Sequence, residues 1–233
     1  AADIMMALRY DIQQEKDFSY KGLSTDEIIS HIVDFVTLLW QNHPFREGNT
    51  RTTAVFVIKY LRSIGFKVDN DLFADNSWYF RNALVRANYR NPSKGIEPDK
   101  TFLVKFFRNL MLGEQNVLKN RYMLIGYSDI NNGSIDTHTS THTSTHTSSS
   151  GQLAVLSENI KRLILAIGSE ERSVKEMMEI VGLKNRPNFF EHSLTPAIQK
   201  GLVKMKYPNS PRHPRQKYLL TVKGFAMYDE CKS

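Results

Sequence analysis

The stretch from Ser134 to Ser150 is built almost wholly from Ser, Thr and His, and Ile135 is its single apolar side chain. A segment with so little apolar surface cannot offset the entropy lost on ordering it, so it builds no core. The residues before and after it must each bury their own apolar side chains, and a chain of 233 residues has enough for one substantial domain and a small one. The sequence therefore divides into residues 1–130, a linker at 131–152, and residues 153–233. His138, His142 and His146 stand four apart inside the linker, a spacing that would align them on one helix face. Their Ser/Thr neighbours are poor helix formers, so the segment reads as solvated linker rather than as a metal site.

Before the linker the signals are helical. Ser24-Thr25-Asp26-Glu27 is a capping box, in which serine and glutamate reciprocally satisfy free backbone donors at a helix start. Ile28, Ile32, Phe35, Val36 and Leu39 follow at helical spacing and predict a helix that ends near Gln41. Pro44 disfavours the helical conformation in the residue before it, which puts His43 at a helix end or in a loop. A second helix is predicted from Asn49 or Thr50 to near Gly65, and its Val55, Phe56, Ile58, Tyr60 and Leu61 predict burial on most sides. Further helices are expected from Ser77 to Asn88 and from Lys100 to Leu112, with no strand pair before residue 130.

After the linker the rhythm changes. One helix is predicted between Ser157 and Gly168, a second from the capping box Ser173-Val174-Lys175-Glu176 to Gly182, and a third from Pro187 to Lys200. Alternation over Leu202 to Tyr207 and Lys217 to Thr221 predicts a hairpin whose tip is rich in Pro and Arg. Three helices and a long-tipped hairpin are the winged-helix order. The expected class is mainly α, a helical core followed by a small α+β module.

The formal charge of +7 is concentrated in this second part, where residues 151–233 carry fourteen Lys/Arg against eight Asp/Glu. Lys184, Arg186, Arg212, Arg215 and Lys217 are therefore candidate contacts to the phosphates of duplex DNA. A protein-binding wedge or a merely solvated basic face stays open as the other reading.

The chain has no apolar run of about 18 residues, and residues Ala1 to Ala7 lack the basic start and long apolar core of a secretory signal, so no membrane partner is expected. Cys231 is the single cysteine, which rules out an internal disulfide and fits a reducing cytoplasm. The first residue is not Met, so a further segment upstream is expected. Oligomeric state is left open.

The segment with the most chemistry runs from His43 through Pro44, Phe45, Arg46, Glu47, Gly48, Asn49 and Thr50 to Arg51. It puts an imidazole, a carboxylate, an amide and a guanidinium at a turn that opens a helix. Free backbone N–H groups at such a start, approachable because of Gly48, suit phosphate oxygens, and Asn49 and Arg51 would add side-chain donors. Glu47 beside those phosphates would hold a divalent cation, since Mg²⁺ prefers one or two carboxylates together with phosphate oxygens. His43 is the residue type suited to take a proton from an attacking hydroxyl. Phosphoryl or nucleotidyl transfer is the expected chemistry.

These residues resemble the Fic signature, His-x-Phe-x-Asp/Glu-Gly-Asn-Gly/Lys-Arg. The similarity extends to Phe80 through Asn88, which looks like the family's later helix, and covers about residues 1–125. The resemblance implies transfer of AMP from ATP to a Ser, Thr or Tyr hydroxyl of a protein, the chain itself included. In that reading His43 is the general base and Glu47 the Mg²⁺ ligand. Gly48, Asn49, Thr50 and Arg51 form the anion cradle, Phe45 anchors the loop in the core, Asn88 contacts adenosine, and Phe80 either packs beside the base or belongs to the core. UMP, phosphocholine or phosphate as the transferred group stays open, and so does a DNA-binding regulator whose Fic core is a sensor. The chain departs from the family at Thr50, where Gly or Lys is usual, and at Ala54, where many members carry a second arginine. No helix with the family's restraining Ser/Thr-x-x-x-Glu-Gly/Asn pattern is present, and the target-docking hairpin is expected upstream of Ala1.

Overall fold

The computed structural model describes residues 2–125 and 156–232. In chain order the helices are α1 (Ala2–Asp17), α2 (Thr25–Gln41), α3 (Asn49–Ser63), α4 (Asp71–Asp75), α5 (Ser77–Asn88), α6 (Thr101–Leu112), α7 (Glu158–Ile167) and α8 (Val174–Val181). Helix α9 follows in three pieces, Arg186–Phe189, a π-helical turn at Phe190–Leu194, and Thr195–Gln199. Strands β1 (Val203–Met205) and β2 (Tyr218–Leu220) and helix α10 (Val222–Glu230) complete it. The molecule is thus mostly helical with one two-stranded antiparallel sheet, in the register Val203 with Leu220 and Met205 with Tyr218. No helix among the described residues is long and apolar enough to cross a membrane. The three linker histidines lie outside the described residues.

Contacts gather the chain into two compact units, residues 1–70 with 155–233, and the segment from residue 71. In the first unit, Ser24 caps α2 through the expected box, and the helix buries Ile28, Ile29, Ile32, Val33 and Val36. Each such side chain contributes roughly 1.5–3 kcal/mol by leaving water. Helices α1 and α3 and the loop before α2 are joined through the Glu15 carboxylate, whose side chain is only 6% exposed. It accepts from the hydroxyls of Tyr20, at 2.6 Å, and of Tyr60, and lies 2.7 Å from His31 Nε2 on α2. A buried carboxylate is stable only with partners of this kind.

Helix α3 corrects one expectation. Only Thr53, Val57, Ile58 and Leu61 are buried, while Val55 is 54% exposed, so the helix is buried along one stripe and not around most of its circumference. Apolar content reports affinity for a core, not which neighbours arrive. Phe56 and Tyr60 flank the stripe and make ring contacts with Phe35 instead.

The C-terminal part of the same unit has the expected order of three helices and a hairpin. Ser173 and Glu176 form the second capping box, and Gly182 ends α8 in the left-handed conformation. The predicted helix from Pro187 to Lys200 is present but widened. The N–H of Thr195 reaches back to the carbonyl of Phe190, and Pro196 has no N–H to continue the ordinary ladder, so the helix passes through a π turn. Helix α10 was not expected from the sequence. Its N-cap Thr221 accepts from the N–H of Gly224, a residue that must lack a side chain because a Cβ there would stand 2.1 Å from the Leu202 carbonyl oxygen. The two ends of this unit meet where Thr25 Oγ1 donates to the Ala226 carbonyl at 2.7 Å, and where Gly65 and Gly201 approach backbone to backbone.

The second unit packs α5 against α6 around Phe73, Phe80, Phe106 and Phe107, all nearly sealed from solvent. Tyr79 is buried with them, and burial followed by the Asp99 charge pushes its hydroxyl up to about 12.

Candidate functional site

Helix α2 ends at Gln41, and Asn42 caps it while its amide donates to Asp11 at 2.8 Å. The chain then turns at His43, whose φ of 42° is the single positive value of a non-glycine among the described residues. A left-handed imidazole-bearing residue is held at a cost on the order of 1 kcal/mol or more, so its surroundings must fix it. They do. His43 N–H donates to the Trp40 carbonyl, and the imidazole meets the Trp40 indole edge-on at 4.5 Å. His43 Nδ1 lies 3.2 Å from the Gln41 carbonyl oxygen, which can only accept. As a hydrogen bond that contact has the proton on Nδ1, and in the neutral ring Nε2 is then the acceptor.

Trp40 also reaches the next helix. Its Nε1–H donates to Thr50 Oγ1 at 3.2 Å, so one indole touches both the imidazole and the first turn of α3. The Thr50 hydroxyl is therefore turned toward α2. It ties the turn shut from the side.

The intervening loop is closed by Asn49, which accepts from the Phe45 N–H at 3.0 Å and donates to the Phe45 carbonyl at 2.7 Å. Two expectations change here. Both ends of the Asn49 amide are used inside the loop, so its part in an anion site passes to its backbone N–H. Phe45 is 51% exposed and does not anchor the loop in the core, because this amide clamp holds the loop without it. Gly48 takes the left-handed conformation at φ 78° and supplies no side-chain cap to α3, which leaves the helix's opening N–H groups free. Arg51 folds back beside it, its Nη2 standing 3.6 Å from where a Cβ on Gly48 would be. A Cβ there would make only ordinary contact with that guanidinium, and it is the left-handed φ that favours glycine. His43, Arg46, Glu47 and Arg51 are all exposed.

Among the described residues no group of three or more His, Cys, Asp or Glu converges on a point. Glu47 alone is a poor cation site, but one carboxylate near a helix start with no side-chain cap fits Mg²⁺ where phosphate oxygens fill its other positions. The residues fit the ion in company with a nucleotide, not by themselves.

Asn88 and Phe80 lie on α5 in the second unit. Asn88 is half-buried and its amide donates to the Leu84 carbonyl at 2.9 Å. Phe80 is 1% exposed, its ring 4.9 Å from that of Phe73 and 5.0 Å from that of Phe106, so it belongs to its unit's core.

The five basic candidates of the C-terminal module are distributed unevenly. Lys184, Arg186 and Arg212 line one groove, whereas Arg215 and Lys217 do not. The hairpin tip is ordered by Gln216, which accepts from the Tyr207 N–H and donates to its carbonyl, and by His213, stacked 4.2 Å from the Tyr207 ring. The reciprocal amide clamps of Asn49 and Gln216 carried no signal in the sequence, since each depends on a loop already bent.

Comparisons with known proteins bear on both parts. A model of the Fic/DOC family matches residues 3–61. A second, described as the C-terminal domain of the Filamentation induced by cAMP protein Fic-like, matches residues 158–221. No curated protein matches. Among solved structures, a Fic family protein from Desulfovibrio desulfuricans G20 is 20% identical, over 83% of this chain and 49% of that one, at a TM-score of 0.27. The chain thus spans about half the length of that solved protein.

Proposed function

The chain belongs to the Fic family, whose two models between them span more than half of it, and on that premise we propose that it transfers AMP from ATP to a protein Ser, Thr or Tyr hydroxyl. The observation that supports this reading is that one indole, that of Trp40, holds the His43 imidazole edge-on and also donates to Thr50 in the first turn of α3, whose start has no side-chain cap.

His43 Nε2 takes the hydroxyl proton as the oxygen attacks the α-phosphorus. The new P–O bond forms as the bond to the bridging oxygen breaks, and pyrophosphate leaves with that electron pair. The N–H groups at the start of α3 and the Arg51 guanidinium hold phosphate oxygens there, where their charge develops. Glu47 would hold Mg²⁺, which would supply charge neutralisation at the phosphates. Asn88 keeps its adenosine role through the resemblance alone, and Phe80 is given none. A target on another protein or on the chain itself, and a cytoplasmic setting, complete the proposal.

The test is label transfer from α-labelled ATP with Mg²⁺, for the wild type and for His43→Ala. Labelled protein is expected with the first and absent with the second. Label that persists without His43, or label from γ-labelled ATP instead, would sink the reading.

A further inference from the structure

Helices α8 and α9, strand β1 and the hairpin tip enclose an open groove of about 1130 Å³ that the transfer chemistry does not use. Its floor holds Met178, Leu183, Phe190, Ile198 and Met205, each half-buried, so their apolar surface is neither shut into the core nor scattered. A contiguous apolar surface left partly wet marks a binding site. Its rim carries Lys175, Lys184, Arg186 and Arg212, all exposed, and Glu179 is the single acid among the lining residues.

The groove is shaped in advance. The Gln216 clamp and the stack of His213 on Tyr207 fold the tip so that Pro211 and Pro214 form one wall. The π turn of α9 begins at Phe190, and the exposed Arg186 guanidinium lies 5.7 Å over that ring, which places the rim charge against the apolar floor. Pre-ordered walls reduce the entropy lost when a ligand docks.

The occupant must therefore offer apolar groups to the floor and negative charge to the rim. Duplex DNA meets the second demand and fails the first, since its exterior is phosphate and its groove edges are mostly polar. A peptide that mixes Leu or Phe with Asp or Glu meets both. We propose that this groove docks an acidic, apolar peptide segment of another protein, its carboxylates against Lys184, Arg186 and Arg212. The proposal stands whether or not the AMP-transfer reading holds.

The experiment selects ligands for the full chain from a display library of random linear peptides. Recovered sequences should be enriched in Asp and Glu interspersed with large apolar residues. A recovered peptide, synthesised with a fluorophore, should bind at least about tenfold more weakly to the Lys184→Glu/Arg212→Glu double variant and to Leu183→Ser. Both variants should retain the wild-type Tm. The same peptide with its acids replaced by lysine, which leaves the protein untouched, should not bind. Absence of enrichment, or binding indifferent to both variants, overturns the proposal. Salt-steep binding of a labelled DNA duplex that the charge reversals remove and Leu183→Ser spares would overturn it in favour of nucleic acid.

Discussion

The loop from His43 to Asn49 and the hairpin tip from Tyr207 to Gln216 are made of the same parts and come out as opposites. Each is closed by one side-chain amide that both accepts from and donates to a single backbone unit, Asn49 on Phe45 and Gln216 on Tyr207. Each sets a histidine against an aromatic ring, edge-on to Trp40 in one and tilted over Tyr207 in the other. The difference lies in one atom. His43 Nδ1 faces a carbonyl and must carry the proton, whereas His213 Nδ1 accepts from the Arg215 N–H at 3.1 Å and must not. In the neutral rings the first then has its acceptor at Nε2 and the second its N–H donor there. The backbone contact, not the residue type, sets which ring nitrogen bears the proton.

Exchanging the two histidines for alanine tests that difference most sharply. His43→Ala should lower AMP transfer by about 10²–10⁴-fold, while His213→Ala should leave it unchanged in the same label assay and weaken peptide capture in the groove. Removing the clamps comes next. Asn49→Ala should cost transfer on the order of tenfold to a hundredfold by loosening the imidazole's loop, with little change in Tm, and Gln216→Ala should leave transfer alone.

Alkaline pH separates the scaffolds beneath the two loops. Burial, then the neighbouring Tyr60 charge and the Glu15 contact, raises the Tyr20 hydroxyl far above its ordinary 10.0, and Tyr60 is raised too, by burial first and then by Glu15. In the unfolded chain both ionise near 10.0, so the stability they contribute is whole below that pH and is lost as pH climbs above it. A denaturant midpoint flat below pH 10 and falling above it is expected, and Tyr60→Phe should flatten the fall. The smallest effect is expected from Thr50→Val, which removes the acceptor for Trp40 and should lower stability by about 0.5–1.5 kcal/mol in the same denaturation.

Much of this was legible from residues alone. The capping boxes at Ser24 and Ser173, the turn at Gly48 and the hairpin each follow from local chemistry, because a cap or a turn is completed within a few residues. Legibility fails where an outcome depends on distant neighbours. Val55 was read as buried because it is apolar and Phe45 because the resemblance implied an anchor, yet each is more than half exposed. The Thr221 cap could have announced α10, but Gly224 in its first turns argues against a helix until the close passage of Leu202 explains it. Composition marked residues 131–152 as a divide, while pairing between Thr25 and Ala226 joins residues from both sides of it into one unit. In the loop from His43 to Asn49, the turn at Gly48 was legible and the Asn49 clamp on Phe45 was not.

Helix α3 opens at the loop from His43 to Gly48 and, about 22 Å further on, ends just before Gly65. There it rests on Gly201, where a Cβ would stand 2.4 Å from the Gly65 carbonyl oxygen. A geneticist collecting alleles at either glycine would find single lesions that abolish two unrelated phenotypes together, and would be tempted to invent a shared ligand where there is only one wedge driven beneath a common beam.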